Sequence, residues 1–245
     1  MSQDYRPLET EDGRVWSTLP VAALAAYVEH QVAHLFPDGF KAPAGTWSAA
    51  VSRALAALSR CFSRIAIAGY TREGEAALSH LHGDRYAVFL ALLAREFHRE
   101  GDTGLASRTY LLNKALHGLD LFYEVELPEV FLLVHPVGTV IGRAKLGNFL
   151  CVYQNCTIGG TPLNGTLEYP RLGEGTILFA KSTLIGRCDL GDRVVMGAGS
   201  MLVNASAPAG SLVTGDKVHE GAASVGRLLT RYFIDFSDHR NVPME

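Results

Sequence analysis

The sequence predicts an α+β fold in which an N-terminal α-helical domain is followed by a parallel β-helix of hexapeptide repeats. Three observations carry this. Up to about residue 119 the apolar positions recur at helical spacing. From Val134 an aliphatic residue returns every six positions, through Val140, Leu146, Val152 and Ile158, and after one break through Leu172, Leu178, Leu184, Leu190, Met196 and Leu202. Neither an α-helix nor an alternating strand has that period, whereas a prism of short parallel strands returns every sixth side chain to one wall. Four residues after most of these positions stands a small residue (Gly138, Ala144, Cys156, Thr176, Ser182, Cys188, Val194, Ser200 and Ser206), the size that a tight corner inside a coil admits.

Taken in order, residues 1–20 are polar and proline-punctuated and read as a loosely held lead-in. Val21, Leu24, Ala25, Val28, Val32, Leu35 and Phe36 form one helical face, stopped by Pro37-Asp38-Gly39. An Ala-rich helix is expected from Ser48 to about Ala68. Asp84 is placed to N-cap a third helix carrying Phe89, Leu90, Leu93 and Phe97, and Gly101-Asp102 closes it before a fourth opens at Gly104. At Asp120 the pattern changes, and Pro128 forbids a regular helix interior. The expected division is a helical domain over 1–119, a β-helix over 120–215 and a tail over 216–245, in which a short amphipathic helix from Val225 to Phe233 is placed to cap the open end of the prism.

With 48% hydrophobic residues the 245-residue chain has ample material for a core, and a net charge of −3 with scattered Lys and Arg gives no basic face for nucleic acid. The N-terminus carries no basic flank ahead of an apolar run and no stretch is long enough to span a bilayer, so no membrane partner and a cytoplasmic location are expected. The four cysteines form no CxxC pair and read as reduced, buried thiols.

Among coil residues His135 stands apart, because it adjoins an in-register aliphatic position where an exposed imidazole has no packing use. On the residues alone it is either a histidine satisfied by backbone groups or a general base, the usual role of a group whose unperturbed pKa is about 6.5. The fourteen-residue step from Ile158 to Leu172 breaks the six-residue count and must project as a loop, the kind of element that bears binding residues on a rigid scaffold.

The runs His135-Pro136-Val137-Gly138-Thr139-Val140-Ile141-Gly142 and Tyr153-Gln154-Asn155-Cys156-Thr157-Ile158-Gly159-Gly160-Thr161, then Pro170, Gly173-Glu174-Gly175 and Gly197-Ala198-Gly199-Ser200, resemble the serine O-acetyltransferases of the hexapeptide-repeat acyltransferase family. The resemblance implies a left-handed β-helix, a trimer or dimer of trimers with active sites between subunits, acetyl-CoA as cosubstrate, no metal, and direct acetyl transfer to a hydroxyl or amine of a small molecule. It places the general base at His135 and its dyad acid at Asp120, with Glu124, Glu126 and Glu129 as alternative acids. Coenzyme contacts fall on Gly160, Thr161, Ala180 and Ala198, although small residues are also what coils require. Two positions depart from the family. Its Arg-His-Pro triplet is Glu168-Tyr169-Pro170 here, and the acid before its catalytic histidine is Val134. Glu168 and Tyr169 therefore suit a cationic or hydroxyl-rich acceptor, with serine one candidate. A β-helix scaffold that has lost this chemistry is the alternative. A γ-type carbonic anhydrase needs several coil histidines around zinc, and only His135 lies in the coils.

Overall fold

A computed structural model describes residues 4–221, 224–234 and 236 of the chain. Its helices are α1 (Val21–Leu35), α2 (Thr46–Phe62), α3 (Gly83–Arg99), α4 (Thr103–His117) and α5 (Ser224–Tyr232). Helix α3 is the most deeply set: Phe89, Leu90, Leu93 and Phe97 are fully covered, packed between α2 and α4. Gly101-Asp102 closes α3, the Gly101 N–H donating to His98 O and the Asp102 N–H to Phe97 O at 2.9 Å each, and Asp102 also caps α4, its carboxylate accepting from the Leu105 N–H at 2.9 Å. Asp102→Ala is expected to cost about 1 kcal/mol, read as a lowered denaturation midpoint with an unchanged slope.

The lead-in is more ordered than its composition suggests. Arg6–Thr10 and Gly13–Ser17 form an antiparallel hairpin that pairs, in parallel, with Glu75–Leu78. Alternation in this segment is masked by charged residues on its exposed face. The aliphatic Val15 points inward and is fully buried.

From Asp120 onward the strands stack into three walls. The first wall holds Phe131–Val134, Leu150–Tyr153, Ile177–Leu178, Val195–Met196 and Leu212–Thr214, all parallel, closed by the antiparallel strand Lys217–His219. The second holds Asp120–Leu121, Val140–Ile141, Thr157–Gly159, Thr183–Ile185 and Met201–Val203. The third holds Lys145–Leu146, Arg171–Leu172 and Asp189–Leu190. The chain visits the walls in that order, coil after coil. Residues at the inner corners are small because each also satisfies a corner carbonyl: Ser182 Oγ donates to Phe179 O at 2.5 Å, Thr176 Oγ1 to Gly173 O at 2.8 Å, and Ser200 Oγ to Val213 O at 3.0 Å. This gives buried polar atoms the partners they require.

The six-residue register holds from Val152 onward but slips in the first coil. Leu133 rather than Val134 faces Val152, and Ile141 rather than Val140 faces Ile158. Leu133 and Ile141 are buried, whereas Val140 is 39% exposed. Because strand side chains alternate, a slip of one residue exchanges the inward and outward sets. The inner-corner residue is accordingly Thr139, whose Oγ1 donates to Tyr153 O at 2.8 Å, and not Gly138. The corner between Leu133 and Ile141 thus holds two residues more than the corner between Val152 and Ile158. His135 lies in that enlarged corner.

Helix α5 forms where expected but does not cap the open end, which the Lys217–His219 strand covers. It packs on the flank of the coils instead. Phe233 meets Phe149 edge-on at 5.5 Å, Tyr153 Oη and Tyr232 Oη share a hydrogen bond of 2.9 Å, and Ala66 N–H donates to Tyr232 O just beyond α2. The flanking aromatic side chains Phe149 and Tyr153 supply the surface it packs on. Residues 222, 223, 235 and 237–245 of the expected tail, and 1–3 of the lead-in, lie outside the described residues.

Candidate active site at a coil corner

His135 leaves the first wall at the end of Phe131–Val134 with φ +47°, a left-handed backbone that a histidine adopts more readily than a β-branched residue. The turn His135-Pro136-Val137-Gly138 is closed by the Val137 N–H on His135 O at 2.7 Å. Gly138, at φ +71°, has no room for a side chain, since a Cβ there would sit 2.4 Å from Asn155 Oδ1. Above this turn the same corner repeats as a ladder. Asn155 N–H donates to Val137 O, Lys181 N–H to Gln154 O, and Gly199 N–H to Ala180 O. Ala180 and Ala198 therefore stand on the corner that carries His135, with little side chain to obstruct an extended ligand lying along it.

The other expected residues lie at the next corner, between the second and third walls. The projecting segment is a β-hairpin, Thr161–Leu163 paired with Thr166–Glu168, and Thr161 stands opposite Glu168. Tyr169 lies against Gly160, where a Cβ would sit 2.6 Å from the ring. Glu168 and Tyr169 line an open cleft of about 390 Å³ with Glu124, Arg143, Lys145 and Arg171. Arg143 is held by Glu124 at 2.6 Å. A carboxylate-bearing ligand in this cleft meets cations as well as Glu168, which softens the repulsion expected from Glu168 alone.

The structure does not bring the Asp120 carboxylate to His135. Asp120 starts the second wall beside the turn, its backbone N–H on Thr139 O at 2.9 Å, but its side chain turns toward α4. Tyr110 Oη donates to Oδ1 at 2.6 Å and Lys114 Nζ to Oδ2 at 2.6 Å. Desolvation alone would raise the Asp120 pKa; hydrogen bonds from Lys114 and Tyr110 together with the Lys114 charge outweigh it and hold the group below the usual carboxylate value. The carboxylate that does face His135 is Asp84, in the first turn of α3, with Oδ2 3.6 Å from Nδ1. Asp84 is visible in the sequence only as a helix-start residue, and His82 takes the N-cap position in its place.

The thiols of Cys61, Cys151, Cys156 and Cys188 are buried, and burial pushes Cys61 up to about 12 despite a hydrogen bond from the Phe131 backbone region. Among the described residues no group of three or more His, Cys, Asp or Glu is arranged to hold a metal, and no helix is long and apolar enough to cross a membrane.

The chain has counterparts among known proteins. A serine acetyltransferase from Staphylococcus xylosus is 27% identical over 159 residues, covering 64% of this chain and 71% of that protein. Over that stretch the chain is similar to a serine acetyltransferase. The crystal structure of serine acetyltransferase from Vibrio cholerae superposes with a TM-score of 0.61 at 19% identity, covering 81% of this chain and 78% of that one. A Neisseria gonorrhoeae serine acetyltransferase in complex with serine superposes at 0.58 with 20% identity, covering 81% and 93%. These neighbours share the arrangement of N-terminal helices followed by a β-helix. No family model matches the chain.

Proposed function

We propose that the protein is an acetyl-CoA-dependent acetyltransferase acting on a hydroxyl or amine of a small molecule, with His135 as general base. The observation that carries this is the exposed His135 imidazole on an enlarged corner of a β-helix whose relatives are serine acetyltransferases. The coils of residues 120–215 would carry the chemistry on a left-handed prism, the domain of residues 1–119 would support their first wall, and residues 216–245 would form a tail. The acceptor O–H or N–H loses its proton to Nε2 of His135 as the heteroatom attacks the thioester carbonyl carbon. The tetrahedral oxyanion collapses with loss of the CoA thiolate, which takes the proton back from the imidazolium. Acetylated acceptor and CoA thiol leave, and no covalent bond to the enzyme forms.

Acetyl-CoA would lie along the corner ladder at Ala180 and Ala198, with Gly160 and Thr161 serving from the hairpin corner, and Glu168 and Tyr169 would meet the acceptor. Within one chain the His135 corner and the hairpin corner are separate. A cyclic trimer sets a different corner of the neighbour beside each His135, as a head-to-tail interface does. The second wall is suited to such contact, since Val140, Met201 and Val203 on it are exposed. A dimer of such trimers and a cytoplasmic location complete the reading.

The test is acceptor-dependent release of CoA thiol from acetyl-CoA with a panel of serine, amino alcohols, amines and sugars. Turnover with at least one acceptor supports the proposal; no release with any, and no acetyl-CoA binding, leaves a scaffold protein. Glu168→Gln is expected to raise KM for cationic acceptors by about 2- to 5-fold, the worth of one exposed ion pair, with KM for acetyl-CoA unchanged.

A further inference from the structure

The carboxylate expected to orient His135 is engaged elsewhere, while a second carboxylate faces the imidazole. Asp120 has Tyr110 and Lys114 on its two oxygens. Turning it toward His135 would strip the Lys114 ammonium of its counter-charge and break two short hydrogen bonds, of which charge-assisted bonds are the stronger kind. The Asp84 carboxylate is turned instead to the coil corner. It is largely buried, at 16% exposure against 76% for the His135 side chain, and its Oδ2 approaches His135 Nδ1 to 3.6 Å.

We propose that Asp84, and not Asp120, is the positioning residue for His135, accepting the Nδ1–H so that Nε2 is left unprotonated toward the acceptor. This rests on the reading of His135 as general base. The distance is that of an ion pair slightly longer than a hydrogen bond, and such contacts tighten when substrate is bound. The first turn of α3 favours an anion at Asp84, because unpaired backbone N–H groups and the helix dipole present positive potential there. The fixed helix holds the carboxylate against a turn whose own backbone is set by Gly138 and the Asn155 ladder.

Three other groups also face Asp84. His82 precedes it on the same turn, His117 approaches from the end of α4, and Tyr70 from the segment before the Glu75–Leu78 strand. Desolvation holds both His82 and His117 below the ordinary histidine pKa, the Arg85 charge adding to the effect at His82. His117 Nδ1 is already engaged with Asn113 Oδ1 at 2.8 Å. Arg85 itself points away, its guanidinium on Tyr5 Oη and the Gly69 carbonyl. His135 is an exposed imidazole, as His82 is, while His117 is half-buried. Of the three, only His135 lies on the coil corner.

The tautomer of a histidine is set by the partner of its other nitrogen, and ¹⁵N NMR of histidine-labelled full-length protein reads it directly, with His135→Asn assigning the signal. Neutral His135 is expected as the Nδ1–H form, the reverse of a free imidazole. Asp84→Asn should move it toward Nε2–H and lower kcat by about 10- to 100-fold at unchanged KM for acetyl-CoA, whereas Asp120→Asn should leave the tautomer in place. Asp84→Glu, which keeps the charge, should restore part of the loss. An Nε2–H tautomer in the unmodified protein, a result available even if Asp84→Asn fails to fold, overturns the proposal, as does a shift caused by Asp120→Asn and not by Asp84→Asn. Absence of acetyl transfer in the unmodified protein would defeat the reading of His135 as a base and leave the tautomer result to decide the Asp84 contact separately.

Discussion

His135→Asn is expected to lower acceptor-dependent release of CoA thiol by about 10²- to 10⁴-fold, the range that a positioned general base contributes, while leaving the fold intact. Asparagine is the informative substitution. His135 has φ +47°, and a left-handed backbone costs most residues about 1–2 kcal/mol but is tolerated by asparagine. The side chain is three-quarters exposed, so its loss leaves no cavity. Circular dichroism and the thermal midpoint should therefore match those of the unmodified protein. A variant that retains full activity would show that His135 is a bystander at its corner; one that loses activity together with its midpoint would indicate a structural histidine.

Gly173→Ala is expected to destabilise the protein by about 3 kcal/mol or more, lowering the thermal midpoint by roughly 10 °C in a chain of this size. The reason is backbone stacking. Gly147, Gly173 and Gly191 occupy equivalent places on successive coils, and a Cβ at Gly173 would lie 2.5 Å from Gly191 C and 2.6 Å from Asp192 N. Flexible side chains yield to such an intrusion, but two hydrogen-bonded strands, with Gly173 N–H on Leu190 O at 2.9 Å, yield only by separating the coils. Overpacking in ordinary cores costs about 1–3 kcal/mol, and backbone on both sides of the rung removes the usual means of relief. Gly226 supplies the control. It lies in α5 with nothing within 4 Å of its added Cβ, and Gly226→Ala is expected to be neutral or to stabilise by up to about 1 kcal/mol through helix propensity. Equal effects at the two glycines would remove the stacking explanation.

The coils were legible because a six-residue period has few structural solutions. From Val152 onward each aliphatic position falls on its wall, and the small residues between them occupy the inner corners, except Ser206, which is exposed while Ala207 is buried. The helices were legible for the same reason, down to the existence and place of α5. Patterning failed at two places, each where two rules competed. In the first coil, Phe131–Val134 is aliphatic or aromatic throughout, so its inward face cannot be told from its outward one, and the slip to Leu133 and Ile141 followed from the longer turn at Pro136 and Gly138. In the lead-in, charged side chains on the outer face concealed a strand.

The candidate site divides along the same line. His135 was found because it breaks a local pattern, and the hairpin from Thr161 to Glu168 because it breaks the count. Asp84 carried no such signal: a carboxylate in the first turn of a helix is common, and its approach to His135 joins elements far apart in the chain. By itself the sequence determined the coils, the helices before them and the histidine, because each is written in short-range spacing. Only the tertiary structure decided which carboxylate faces that histidine, because α4 brings Lys114 and Tyr110 onto Asp120 while the first turn of α3 brings Asp84 to the corner.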